Sequence, residues 1–126
     1  MFGLEKYIET GNLPAILVEL VRTRASQVNG CAFCIQLHSQ AAQKNGETVE
    51  RLLALPAWRE SALFSFQERT ALELTEEVTL ISEHGVSDRV YGNLSAHFDE
   101  QQIAQLIVLI AAINAWNRIA VSTHAQ

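Results

Sequence analysis

The sequence predicts an all-α fold, and three observations carry that reading. Apolar residues recur at helical intervals through most of the chain, β-branched residues fall at the same intervals, and strict period-2 alternation is absent. Only two prolines and six glycines punctuate the 126 residues, which leaves room for long regular elements. A hydrophobic fraction of 48% beside a charged fraction of 18% supplies a real core and argues against a disordered chain. The length suits one domain over 1–126.

Leu4, Tyr7 and Ile8 predict a short helix over Leu4–Glu9, closed by Thr10-Gly11-Asn12. Pro14 suits the first turn of the next, whose apolar face (Ile16, Leu17, Leu20, Val21, Val28) runs to an Asn29-Gly30 stop. A third helix runs from Cys31 to Lys44, before Asn45-Gly46. Thr48–Leu55 reads as a shorter one, ended by Pro56. Ser65 with Glu68 has the capping-box pattern and opens a helix through Ala71, Leu74, Val78 and Ile81 that stops before Gly85. Ser87-Asp88 caps another through Val90, Tyr91 and Leu94. Asp99 with Gln102 opens the last and longest, with Ile103, Leu106, Ile110, Ile113 and Ile119 on its face. Short connections make this a bundle of about six or seven helices. The last helix is apolar over much of its circumference. Part of it, or the face carrying Leu52, Leu53 and Leu55, is therefore expected to lie between subunits; a light-scattering mass equal to one chain would overturn that.

The net charge of −5, from nine Lys plus Arg against fourteen Asp plus Glu, excludes the basic stripe of a nucleic-acid binder. Arg22, Arg24, Arg51, Arg59, Arg69, Arg89 and Arg118 are scattered singly. Met1 to Thr10 is amphipathic, with Glu5 and Glu9, and lacks the layout of a secretory signal. The longest wholly apolar run, Leu106 to Ile113, is far short of the about 20 residues of a membrane span. The chain thus reads as cytoplasmic, where a cysteine pair is more often catalytic or metal-binding than a structural staple.

Cys31, Cys34 and His38 fall within roughly 60° of one another on a helical wheel, so both sulfurs and the imidazole share one face. The pair sits at a helix start, where free N–H groups and the dipole favour a thiolate. Two intervening residues permit a small disulfide ring, which suits reversible dithiol–disulfide chemistry. Two other readings stay open. The cysteines could be plain small hydrophobes. Cys-x2-Cys-x3-His could also hold a metal, with Glu19, His84, His97 or His124 completing the set. His84 and His97 lie near helix ends, where capping or exposure suffices, and His124 is in the terminus.

Glu19 interrupts the apolar stretch Ile16-Leu17-Val18-Glu19-Leu20-Val21. Periodicity favours a solvated face for it. A straight helix would place it about 18 Å from Cys31, and only a turn at Asn29-Gly30 with antiparallel packing brings it back.

With Glu19, Cys31, Cys34 and His38 in place, the chain resembles the AhpD-like alkylhydroperoxidases of the carboxymuconolactone decarboxylase family. The resemblance runs along Glu19-Leu20-Val21-Arg22-Thr23-Arg24-Ala25-Ser26-Gln27-Val28-Asn29-Gly30-Cys31-Ala32-Phe33-Cys34-Ile35-Gln36-Leu37-His38. Ala57-Trp58-Arg59-Glu60 and Ala115-Trp116-Asn117-Arg118-Ile119-Ala120 extend it across nearly the whole chain. It implies an all-α fold that assembles as a homo-oligomeric trimer or hexamer. It also implies a redox-active cysteine pair served by a Glu/His proton relay, with Cys34 meeting the peroxide and Cys31 resolving the sulfenic acid. The helix-terminus argument instead marks Cys31 as the more ionised, exposed thiol. The family's best-known members carry a histidine immediately before the second cysteine, where this chain has Phe33. The decarboxylases that name the family lack the pair, which disfavours lactone decarboxylation.

The expected activity is reduction of hydroperoxides or disulfides by the pair, reset by an external dithiol or a partner redox protein, with no separate cofactor. The alternative is a metal-binding or disulfide-exchange carrier using the same cluster. No nucleic-acid or membrane partner is expected.

Overall fold

Four helix starts are capped by a hydroxyl or carboxylate that accepts a first-turn N–H. The structure, a computed structural model, describes residues 1–126. In chain order the helices are α1 (Phe2–Glu9), α2 (Ala15–Asn29), α3 (Ala32–Lys44) and α4 (Val49–Ala54). After a 3-10 helix over Leu55–Glu60 come α5 (Phe66–Thr79), α6 (Ile81–His84), α7 (Asp88–His97) and α8 (Glu100–Ser122). Thr48 and Ser87 cap α4 and α7, and the Ser65/Glu68 and Asp99/Gln102 boxes close reciprocally at α5 and α8.

The structure has eight α-helices where six or seven are expected, and it departs from the expected boundaries at two places. The helix expected to run from Ser65 toward Gly85 breaks at Leu80 (φ −101°, ψ 41°), which separates α5 from α6. Pro56 also does not stop the chain's winding. It sits in the first turn of the 3-10 helix, where its missing N–H is no loss. At the other boundaries, Pro14 and Cys31 prove to be the caps of α2 and α3 rather than their first residues.

The central element is α2, which packs on α3, α5 and α8. The main core gathers 12 buried residues from α1, α2, α5, α7 and α8 and the α7–α8 junction, among them Leu17, Val21, Leu74, Leu106 and Leu109. A smaller core joins Leu20 and Leu72 to Leu55, Trp58 and Phe64. Leu55 therefore belongs to the chain's own core, with Leu52 packed beside it, and only Leu53 of the expected intersubunit trio points out.

By length and composition alone α8 could cross a membrane. Here it packs on α1, α2 and α5, and it buries polar groups that a lipid-facing helix would leave without partners. Asn117 donates to Ser26 Oγ and, with Asn114, accepts from Asn29 Nδ2, which ties α8 to the C-terminal end of α2. Gly11 admits the buried Gln105 amide, because a Cβ at that position would collide with its Oε1.

Candidate active site

Gly30 adopts the left-handed conformation (φ 67°, ψ 33°) that ends α2, and the Cys31 N–H closes the turn onto Ser26 O. The chain reverses there, and α3 folds back along α2. This turn is what brings Glu19 to His38. Their separation along α2 and α3 is offset by the antiparallel return, and Glu19 Oε2 lies 3.0 Å from His38 Nδ1.

Glu19 is only 8% exposed, which corrects the solvated position that periodicity favoured. The reason is tertiary. Docking of α3 covers that flank of α2, and the carboxylate is satisfied there by His38 and by Arg22, whose Nη1 donates to Oε1 at 2.7 Å. Burial pushes the Glu19 carboxyl up, but the His38 hydrogen bond and the Arg22 charge outweigh it and hold the group below its ordinary value. An ionised Glu19 can only accept, so Nδ1 of His38 carries the proton. Nε2 of the neutral ring is then left as the acceptor.

The network continues onto two further helices. Arg22 Nη2 donates to Glu5 Oε2 at 2.9 Å, and Trp116 Nε1 donates to Glu5 Oε1 at 2.9 Å. Glu5, Arg22 and Trp116 join the site beyond the four residues the sequence points to. Arg22 had a usable signal, since an Arg three residues after a Glu shares its helix face. Trp116 falls in a stretch that carries the family resemblance, but nothing there points to Glu5, because the two meet only through the packing of α1 on α8.

Cys31 and Cys34 form a disulfide with their Cα atoms 5.3 Å apart. Cys31 is the N-cap of α3, and its Sγ accepts the Cys34 N–H at 3.3 Å. Cys31 is 2% exposed and Cys34 4%, so the expectation that Cys31 is the exposed sulfur is corrected. Its cap position turns Cys31 inward. Cys34, by contrast, faces a cavity of about 490 Å3 that His38, Arg22 and Glu5 also line. Phe33, Leu37, Trp116 and Ile119 supply much of its apolar wall.

No three His, Cys, Asp or Glu side chains gather with metal-ligating geometry. His84, His97 and His124 are exposed, at the ends of α6 and α7 and beyond α8.

Outside the site, two more carboxylates are held below their ordinary value. Burial pushes Glu68 and Glu76 up, but the Arg51 hydrogen bond for Glu68, and those of Arg59 and Trp58 for Glu76, prevail. An unfolded Glu titrates near about 4.3. The stabilisation from Glu19, Glu68 and Glu76 is therefore present above that pH and is lost as pH falls through the lower folded values. Urea midpoints should be flat from about pH 7 to 5 and drop steeply below about pH 4. Glu68→Gln should flatten that acid limb. A stability that rises on acidification would contradict the ion-pair account.

An all-α bundle with a CxxC disulfide beside a buried Glu–His pair is an arrangement consistent with thiol-based redox chemistry. The chain belongs to the carboxymuconolactone decarboxylase family, whose model matches residues 1–77. It is 43% identical over 122 residues to the uncharacterized protein YdfG of Bacillus subtilis, covering 97% of this chain and 83% of that one. It is 35% identical over 102 residues to the uncharacterized protein YnjA of Escherichia coli, covering 81% and 56% respectively. A crystal structure from Agrobacterium tumefaciens, put forward as antioxidant defence protein AhpD, superposes with a TM-score of 0.95 at 38% identity, covering 99% of this chain and 86% of that one. The debrominase Bmp8 shares the fold at a TM-score of 0.83 and 20% identity, covering 98% and 67%.

Proposed function

We propose that the protein is a thiol peroxidase that reduces organic hydroperoxides with Cys34 as nucleophile, Cys31 as resolving thiol and Glu19–His38 as proton relay. The observation that carries this is the asymmetry of the pair: Cys34 lies on the cavity wall with His38, and Cys31 lies behind it. In the reduced protein, His38 Nε2 takes the Cys34 thiol proton while Glu19 steadies the imidazolium at Nδ1. The Cys34 thiolate attacks the terminal peroxide oxygen, the O–O bond breaks, and the alkoxide leaves with the proton from His38 as an alcohol. Cys34 is then a sulfenic acid. Cys31 attacks its sulfur, water departs, and the disulfide seen here results. An external dithiol attacks Cys34, expels the Cys31 thiolate and closes its own disulfide, which returns two electrons to the pair.

The apolar wall favours an organic peroxide body over a small hydrated one. Phe33 contributes to that wall and cannot carry protons, so proton supply rests on His38. The test is to mix reduced protein with cumene hydroperoxide and dithiothreitol, following peroxide loss and the thiol state of the pair. One alcohol per oxidised dithiol is expected, with the Cys31–Cys34 disulfide appearing in each turnover. Peroxide loss no faster than with dithiothreitol alone, with the pair still reduced, would sink the reading.

A further inference from the structure

We propose that Glu5 is a positioning residue for the Glu19–His38 pair, acting through Arg22 from a helix outside the cysteine hairpin. The proposal deepens the relay reading and rests on it. A guanidinium fork matches both oxygens of one carboxylate. Arg22 does not use it that way: Nη1 goes to Glu19 Oε1 and Nη2 to Glu5 Oε2. Glu5 thereby keeps the fork divided and leaves Glu19 Oε2 for His38 Nδ1. Without the Glu5 charge, the arrangement that best satisfies Arg22 is the bidentate one on Glu19, which competes with His38 for Oε2.

The charge balance points the same way. The groups gathered at His38 are Glu19 and Arg22 from α2 and Glu5 from α1, while α8 contributes the uncharged indole of Trp116. Glu5, Arg22 and Glu19 together carry one net negative charge beside the ring. With Glu5 neutral, that charge is gone.

A purely structural role would be to pin α1 to α8 through Trp116. Trp116→Phe removes that hydrogen bond and leaves Glu5–Arg22, so it separates the two roles. The readout independent of activity is the imidazole nitrogen spectrum of His38 in the disulfide form, assigned with His38→Asn. The wild-type ring should show a fixed Nδ1–H tautomer, and Glu5→Gln should show it mixed with or replaced by Nε2–H. Glu5→Gln should also lower cumene hydroperoxide turnover by about tenfold and shift its pH profile, with no added loss in an Arg22→Gln background. Glu5→Met, an apolar side chain of similar length that removes both acceptor oxygens from Arg22, should reproduce the tautomer change even if Glu5→Gln fails to fold.

The proposal is overturned if the His38 signal and pH profile of Glu5→Gln match wild type. It is also overturned if Trp116→Phe reproduces the full effect, or if, with Glu5→Gln unfolded, Glu5→Met keeps the wild-type tautomer. Wild-type turnover by Glu19→Gln and His38→Asn would instead sink the relay reading, while the His38 spectrum still decides whether Glu5 positions the pair.

Discussion

Cys34→Ser should lower organic hydroperoxide turnover by at least roughly 10³-fold, because it removes the only sulfur on the cavity wall. Cys31→Ser should behave differently. Its Cys34 can still attack, so one equivalent of peroxide is consumed and a sulfenic acid persists at Cys34, where dimedone traps it. What Cys31→Ser loses is the disulfide and, with it, reduction through a stabilised leaving thiolate. Cys31 Sγ accepts the Cys34 N–H at the start of α3, so the helix terminus supports Cys31 as a leaving group as well as a resolving thiol. Mass spectrometry of trapped protein with single-turnover peroxide assays reads both variants. Dimedone on Cys31 in Cys34→Ser, with none on Cys34 in Cys31→Ser, would reverse the assignment.

Glu19→Gln and His38→Asn should each lower the rate of Cys34 oxidation by about 10²-fold near neutral pH, and the double variant should lose little more. The two side chains share one hydrogen bond, so removing either disables the same proton path. Glu19→Gln keeps a side chain that can accept from Nδ1, but it removes the charge that stabilises the imidazolium. Its deficit should therefore shrink at high pH, where the thiol ionises without help. Stopped-flow oxidation of reduced protein across pH measures this. Losses that multiply in the double variant would mean that Glu19 and His38 act separately.

The helices were largely legible because their signals are local. Ser65 with Glu68 and Asp99 with Gln102 act within one turn, and Gly30 stops α2 by its own backbone freedom. The grouping of Cys31, Cys34 and His38 also followed from one helix, although Cys31 turned out to cap it. Leu80 was not legible as a break, since its apolar side chain fits the pattern that continues to Ile81. Glu19 was misplaced by periodicity for a deeper reason. An apolar wheel shows which flank avoids water, but not that Arg22 and His38 make burial tolerable for a carboxylate. Family resemblance named Glu19, and only packing showed why it is held.

The site is assembled from two kinds of sequence distance. Glu19 and His38 are 19 residues apart, on one hairpin turned at Gly30, whereas Glu5 and Trp116 meet across 111 residues. Short-range contacts close cheaply in entropy and form early, while long-range ones form late and depend on the whole bundle. The reactive hairpin is thus a local unit, and the wall that α1 and the end of α8 put around it is a global one. A fluctuation that lifts α1 would open the chamber and withdraw Glu5 from Arg22, while Cys31, Cys34 and His38 stay together on α3 and its cap.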